Sequence, residues 1–264
     1  MKLKLQNKNI TGPVKASTLQ VPDHLRVRYS IGLDFVEGLF GPDPFDETKA
    51  GGFVPSTVTM LTGTPGAGKT TLALQLADSL ANQGHVVLYN SGEESLYQVK
   101  MCIERLGLAG DFYLGQETSV WELIKSADTL RAEKRPKGTG FFLIQDSIQT
   151  LDDEKYTSGT NSMTPLRCTE ALTNWAKETF SCVTFIGQVN KDGEFQGKNG
   201  MLHAVDARMH ISFDKKKKSP TFGFRILELM KSRFGFGETQ VLSMTRGGLQ
   251  GMGTVSDFGE SSDD

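Results

Sequence analysis

The nine residues "GTPGAGKTT" (63–71) constrain this chain more tightly than any other stretch in it. They fit G-x-x-x-x-G-K-[ST], with Gly63, Gly68, Lys69 and Thr70 in register. Both flanks suit that reading. "TVTMLTG" (57–63) reads as a buried strand, and "KTTLALQLADSLANQG" (69–84) sets Leu72, Leu76 and Leu80 on one helical face, with Gly84 as the stop. Glycines let the backbone wrap closely around phosphate oxygens, and the N–H groups at a helix start face negative charge. The loop formed by Gly63, Thr64, Pro65, Gly66, Ala67, Gly68, Lys69, Thr70 and Thr71 is therefore expected to cradle a nucleoside triphosphate. Lys69 would bridge the terminal phosphates, and the Thr70 hydroxyl would ligate Mg²⁺.

Two carboxylate stretches complete that chemistry. "FFLIQDS" (141–147) runs four apolar residues towards Asp146 at the C-terminal end of a buried strand, where ligands gather in open parallel sheets. An aspartate there holds the magnesium shell opposite Thr70. "NSGEES" (90–95) follows the preceding long strand and offers Glu93, with Glu94 second, as the base that activates water for attack on the γ-phosphate. From Thr57 onward, apolar strands alternate with helical patterns. That predicts an α/β fold with a mostly parallel twisted sheet flanked by helices. The stretch from 206 to 235 then reads as two strands joined by a basic turn, and "TQVLSMTRGGLQ" (239–250) ends in a third, so antiparallel strands are expected at the C-terminal end.

The division expected along the chain is an N-terminal arm (1–30), one nucleotide-binding domain (31–250) and an acidic, disordered tail (251–264), with a Gly-, Pro- and Asp-rich loop at 40–52. The formal net charge of the 264 residues is −2, so any binding to nucleic acid must come from local basic patches. No apolar run is long enough to span a membrane, and "MKLKLQNKNI" lacks a signal-peptide core. The three cysteines, Cys102, Cys168 and Cys182, have no CxxC spacing and fit a reducing cytoplasm. Two long loops follow strands at the ligand end of the sheet, at 151–167 and 189–202. The second carries Lys191, Phe195 and Lys198, a mixture suited to gripping single-stranded DNA with one stacking ring.

Taken together, "GTPGAGKTT", "SGEES" with "ERLGL", "DSIQT" (146–150), "AKET" (176–179), "IGQVNKDG" (186–193), "HAVD" (203–206) and "KSRFG" (231–235) resemble the RecA-like ATPases, most closely the bacterial RadA/Sms branch. The resemblance covers about 30 to 250 and implies a RecA-like P-loop fold. It also implies a DNA-dependent ATPase that uses ATP and Mg²⁺, forms a homo-oligomeric ring (a hexamer) and acts on single-stranded or branched DNA in recombination and repair. A KaiC-like signalling ATPase or kinase that needs no DNA, a filament-forming strand-exchange recombinase and a non-catalytic nucleotide-dependent scaffold are the alternatives. The family's K-N-R-F-G motif falls on Lys231, Ser232, Arg233, Phe234 and Gly235, which makes Lys231 and Arg233 a basic pair aimed at a neighbouring subunit's ATP. Gln188 takes the place of the residue that senses γ-phosphate, where histidine is frequent, and Gln145 replaces an apolar residue. The 264 residues contain neither the family's four-cysteine zinc module nor its protease-like domain. Strand alternation puts Lys231 and Arg233 on one face, and the lateness of their strand places it at a sheet edge.

Overall fold

The computed structural model describes residues 13–21, 23–43, 46–157, 159–188 and 200–259. In chain order the elements are α1 (Asp34–Phe40), β1 (Pro42–Asp43), β2 (Asp46–Ala50), β3 (Val58–Gly63), α2 (Lys69–Asn82), β4 (Val86–Ser91), α3 (Leu96–Leu106), β5 (Tyr113–Gly115) and α4 (Val120–Lys134). They continue with β6 (Phe141–Asp146), α5 (Thr164–Thr179), β7 (Cys182–Ile186), α6 (Gly200–Ala204), β8 (Ala207–Phe213), β9 (Arg225–Lys231), β10 (Gln240–Thr245), β11 (Gly248–Thr254) and α7 (Val255–Gly259).

One nine-stranded sheet organises the described residues, in the order β11-β10-β9-β8-β3-β7-β6-β4-β5. The six strands from β8 to β5 are parallel, and β9, β10 and β11 add antiparallel to that core. Alternate residues of the central strands feed two separate apolar cores. Leu61, Val87, Tyr89 and Ile144 meet Leu72, Leu76 and Leu80 of α2 and Val99 and Ile103 of α3 on one face. Met60, Leu88 and Leu143 meet Leu123 of α4 and Leu172 and Trp175 of α5 on the other. Burial on both faces explains why these strands read as continuous apolar runs rather than alternating ones.

The helices begin and end where local chemistry dictates. Ser95 caps α3 in a reciprocal box with Gln98, and Gly107 closes it at φ 69°.

Four expectations need correction. α5 starts at Thr164 with Pro165 in its first turn, so the first long loop is shorter than its composition suggested. Part of the 40–52 loop forms the β1–β2 antiparallel pair. The stretch expected to end in a single strand is the β10–β11 hairpin, and β11 stays paired with β10 as far as Thr254, so the sheet runs past the boundary set at 250. The ladder is built on backbone groups, with Thr245 Oγ1 adding a bond to the Gly248 carbonyl, so the glycine-rich, weakly apolar "GLQGMGT" gave little sign of a strand. Finally, β9 lies between β8 and β10 rather than at an edge.

Candidate active site

The phosphate loop leaves β3 and enters α2 at the C-terminal end of the parallel strands. Gly68 sits at φ 109°, a conformation that glycine adopts without strain, and a Cβ there would also lie 2.8 Å from Met244 Cε. Lys69 Nζ donates to the carbonyls of Gly63 (2.9 Å) and Thr64 (3.3 Å). Burial lowers its pKa, opposed by the nearby carboxylates of Asp146 and Glu93. Arg225, at the start of β9, braces the loop from behind by donating Nε to the Ala67 carbonyl at 2.9 Å while stacking on Phe213. Thr64 Oγ1 is buried without a partner, a donor that a phosphate oxygen would satisfy.

The two carboxylates flank this loop. Thr70 Oγ1 donates to Asp146 Oδ2 at 2.8 Å, and Tyr89 OH donates to the same oxygen at 3.0 Å. Asp146 is only 6% exposed, and burial raises its pKa, with Glu93 and Glu94 adding to the effect and the two hydroxyl bonds opposing it. Glu93 Oε1 accepts from Ser147 Oγ (2.6 Å) and from Gln188 Nε2 (2.9 Å). A cleft of about 280 Å³ is lined by Gly63, Pro65, Lys69, Thr70, Glu93, Asp146, Ile186 and Gln188. Glu94 is not among those lining residues; its peptide N–H donates to Ser91 Oγ at 3.1 Å. Gly92, just before the glutamates, passes so close to Thr150 that a Cβ would fall 2.0 Å from Thr150 Oγ1.

These residues fit a magnesium nucleotide. Asp146 is a buried carboxylate whose hydrogen-bond donors are neutral hydroxyls, and it stands beside the hard oxygen of Thr70. No group of three or more His, Cys, Asp or Glu able to hold a metal occurs among the described residues. The remaining oxygens would therefore come from phosphate and water, the usual arrangement for Mg²⁺ at a nucleotide.

Lys231 and Arg233 lie elsewhere. Lys231 pairs with Arg208, which pairs with Met60, three residues down β3 from Gly63. Lys231 Nζ donates to the carbonyls of Leu202 (2.8 Å) and Val205 (2.6 Å). Arg233 Nη1 donates to Asp206 Oδ1 at 3.2 Å, and Asp206 Oδ2 accepts the Val58 N–H at the far end of β3. Val58 lies roughly 16 Å along that strand from Gly63, at about 3.3 Å per residue. The strand ends at Lys231, so the one-face alternation expected for Lys231 and Arg233 does not apply; Arg233 sits in the bend that follows. Lys191, Phe195 and Lys198 lie outside the described residues. Sequence reasoning missed Tyr89, Ser147 and Arg225. Of these, Ser147 alone carried a local signal, as the residue after Asp146.

A glycine-rich loop between a central parallel strand and its helix, facing an aspartate on the next strand but one, defines a P-loop nucleotide hydrolase of the RecA-like fold. The KaiC ATPase family model matches residues 41–245, and the chain belongs to that family of ATP-hydrolysing enzymes. The DNA repair protein RadA of Brucella abortus is 34% identical over 222 residues, covering 83% of this chain and 46% of that protein. The chain thus spans just under half the length of this relative. A KaiC-like protein from Pyrococcus horikoshii superposes with a TM-score of 0.66 at 16% identity, covering 85% of this chain and 98% of that one. A DnaB-like replicative helicase superposes with a TM-score of 0.67 at 13% identity, covering 84% and 61%. No helix among the described residues is long and apolar enough to cross a membrane.

Proposed function

We propose that this chain is a DNA-stimulated ATPase of the RadA/Sms type, acting in the cytoplasm as a ring, hexameric in form, on single-stranded or branched DNA during repair and recombination. The observation that carries this reading is the separation of the two halves of the chemistry. Lys69, Thr70, Asp146 and Glu93 gather in one cleft, whereas Lys231 and Arg233 are fixed near the opposite end of β3. A head-to-tail ring unites one subunit's cleft with the next subunit's basic pair. The DNA repair role rests on the RadA relatives.

Within the cleft, Gly63 to Thr71 bind the phosphates through backbone N–H groups, and Lys69 neutralises charge on the transferring group. Thr70 and Asp146 would hold Mg²⁺, which when bound supplies further neutralisation of the β- and γ-phosphate oxygens. Glu93 accepts the proton of the attacking water at Oε2, since Ser147 and Gln188 both donate to Oε1. Gln188 is the link that reports γ-phosphate to the 189–202 loop, where Lys191, Phe195 and Lys198 grip DNA. Arg233, with Lys231, stabilises charge on the neighbour's γ-phosphate, a contribution of roughly 10³ to 10⁵ for an arginine so placed.

The test is ATP turnover with and without single-stranded DNA across a salt series. DNA should accelerate turnover, and the acceleration should fade as salt rises. Turnover indifferent to DNA at every salt concentration would favour the KaiC-like signalling reading, which the family match itself supports. Lys69→Ala should abolish turnover. Lys69→Ala and Arg233→Ala proteins, each inactive alone, should regain activity when co-assembled.

A further inference from the structure

We propose that Asp206 is the positioning residue that aims Arg233 at the nucleotide of the adjoining subunit. The inference rests on the trans reading above. Asp206 is 1% exposed, and a carboxylate so deeply buried is tolerated only when donors surround it. Its donors come from three parts of the fold. Val58 N–H, at the start of β3, donates to Oδ2 at 3.0 Å; Lys177 Nζ, in the last turn of α5, donates to Oδ2 at 2.5 Å; Arg233 Nη1 donates to Oδ1 at 3.2 Å. Lys177 is itself anchored on the Ser56 carbonyl at 2.8 Å.

The balance of charge matters as much as the geometry. One carboxylate faces three cations, Lys177 and Arg233 in direct contact and Lys231 close enough to feel its charge, so Arg233 is held in place without its charge being cancelled. The Arg233 side chain remains 56% exposed. A guanidinium carries five N–H donors, and one of them on Asp206 leaves the rest for a ligand. An unanchored surface arginine spreads over many rotamers, and fixing one donor removes much of that freedom before the subunits meet. Asp206 thereby fixes Arg233 to β3, the strand whose other end carries the subunit's own phosphate loop.

Asp206→Asn in the full chain separates this role from simple bracing. The variant should bind ATP within about twofold of wild type, while kcat falls roughly 10²-fold, the scale of a misplaced catalytic group. Two mixtures then decide the matter. Lys69→Ala with Arg233→Ala is the reference, and its failure to recover activity overturns the trans reading itself. With that reference active, Lys69→Ala mixed with Asp206→Asn should also recover, because Asp206→Asn subunits keep an intact phosphate loop and borrow Arg233 from Lys69→Ala neighbours. Recovery in the reference mixture alone would mean Asp206 acts on its own subunit's β3, and the proposal falls. Wild-type kcat in Asp206→Asn would overturn it equally. If Asp206→Asn melts early, the charge-balanced Asp206→Asn/Lys177→Met chain is put through the same mixtures with the same criteria.

Discussion

Burial raises the pKa of Asp146, so without nucleotide its charged form is the costly one. A carboxylate with a raised folded-state pKa weakens the fold above that pKa, and the penalty disappears as pH falls through it. Asp146→Asn keeps an oxygen that can accept from Thr70 and Tyr89 while removing the charge. The nucleotide-free variant should melt higher than wild type at pH 7, by about 2–4 °C per kcal/mol relieved. The gap should close as pH is lowered into the carboxylate range, and ATP turnover should be lost throughout. A variant that melts lower than wild type at pH 7 would contradict this account of the site. Glu93 and Glu94 offer a second test at the same scale. Glu93→Gln should retain ATP and lose roughly 10² to 10⁴ in turnover, the usual contribution of a positioned base. Glu94→Gln should hydrolyse at near the wild-type rate; single-turnover assays distinguish the two. Sequence alone ranked these neighbours without separating them. What separates them is contact with Ser147 and Gln188, which lie 54 and 95 residues away from Glu93.

Among the elements, the ends of β4 and β6 are locked together by buried amides. Gln145 Nε2 donates to the Ser147 carbonyl (2.8 Å) and to Thr150 Oγ1 (3.2 Å), while its Oε1 accepts from Asn90 Nδ2 at 2.7 Å. The polar residue that breaks the apolar run of this strand thus holds the turn that carries Ser147 and, through it, Glu93. Gln145→Leu leaves part of a buried polar network unpaired and should cost about 1–3 kcal/mol in urea unfolding. Its kcat should drop more than its affinity for ATP. His85, just before β4, accepts the Gly140 N–H at 3.0 Å and packs against the rings of Tyr29 and Phe142, which also meet each other. Burial, helped by the charge of Arg135, lowers its pKa to about 4. A histidine with a lowered folded-state pKa supports the fold fully above its unfolded pKa, near 6.5, and that support is lost progressively as pH falls towards 4. Thermal melts between pH 7 and 4 should show this loss in wild type and a shallower decline in His85→Gln. The strands and helices of the parallel core were legible because each announces itself within a few consecutive residues, as in the run to Asp146 or the leucines of α2. The contacts of Asn90 with Gln145 and of Arg225 with Ala67 were not, because no local period encodes a bond between residues 55 or 158 positions apart.

For the whole molecule, the proposed ring requires that two nucleotide sites and one DNA contact communicate. Residues 189–199 join Gln188, which donates to Glu93, to α6, which leads to the Val205 carbonyl that accepts from Lys231. One end of this loop is thus tied to the subunit's own cleft and the other to the basic pair assigned to the next one. On the proposed reading, DNA gripped by Lys191 and Lys198 would bias both ends at once, a route by which DNA could stimulate turnover without any DNA group entering the cleft. Replacing both lysines with alanine should leave turnover without DNA unchanged and reduce its stimulation by single-stranded DNA. Each lost phosphate contact removes about 0.7 from the slope of log K against log salt on single strands, so the double variant should flatten that slope by roughly 1.4. Affinity measured by fluorescence anisotropy at several salt concentrations provides the slope, and turnover in the same buffers provides the coupling. An unchanged slope would remove this loop as the main electrostatic contact. A flattened slope with full stimulation at saturating DNA would keep the loop as a grip and assign the coupling to another segment.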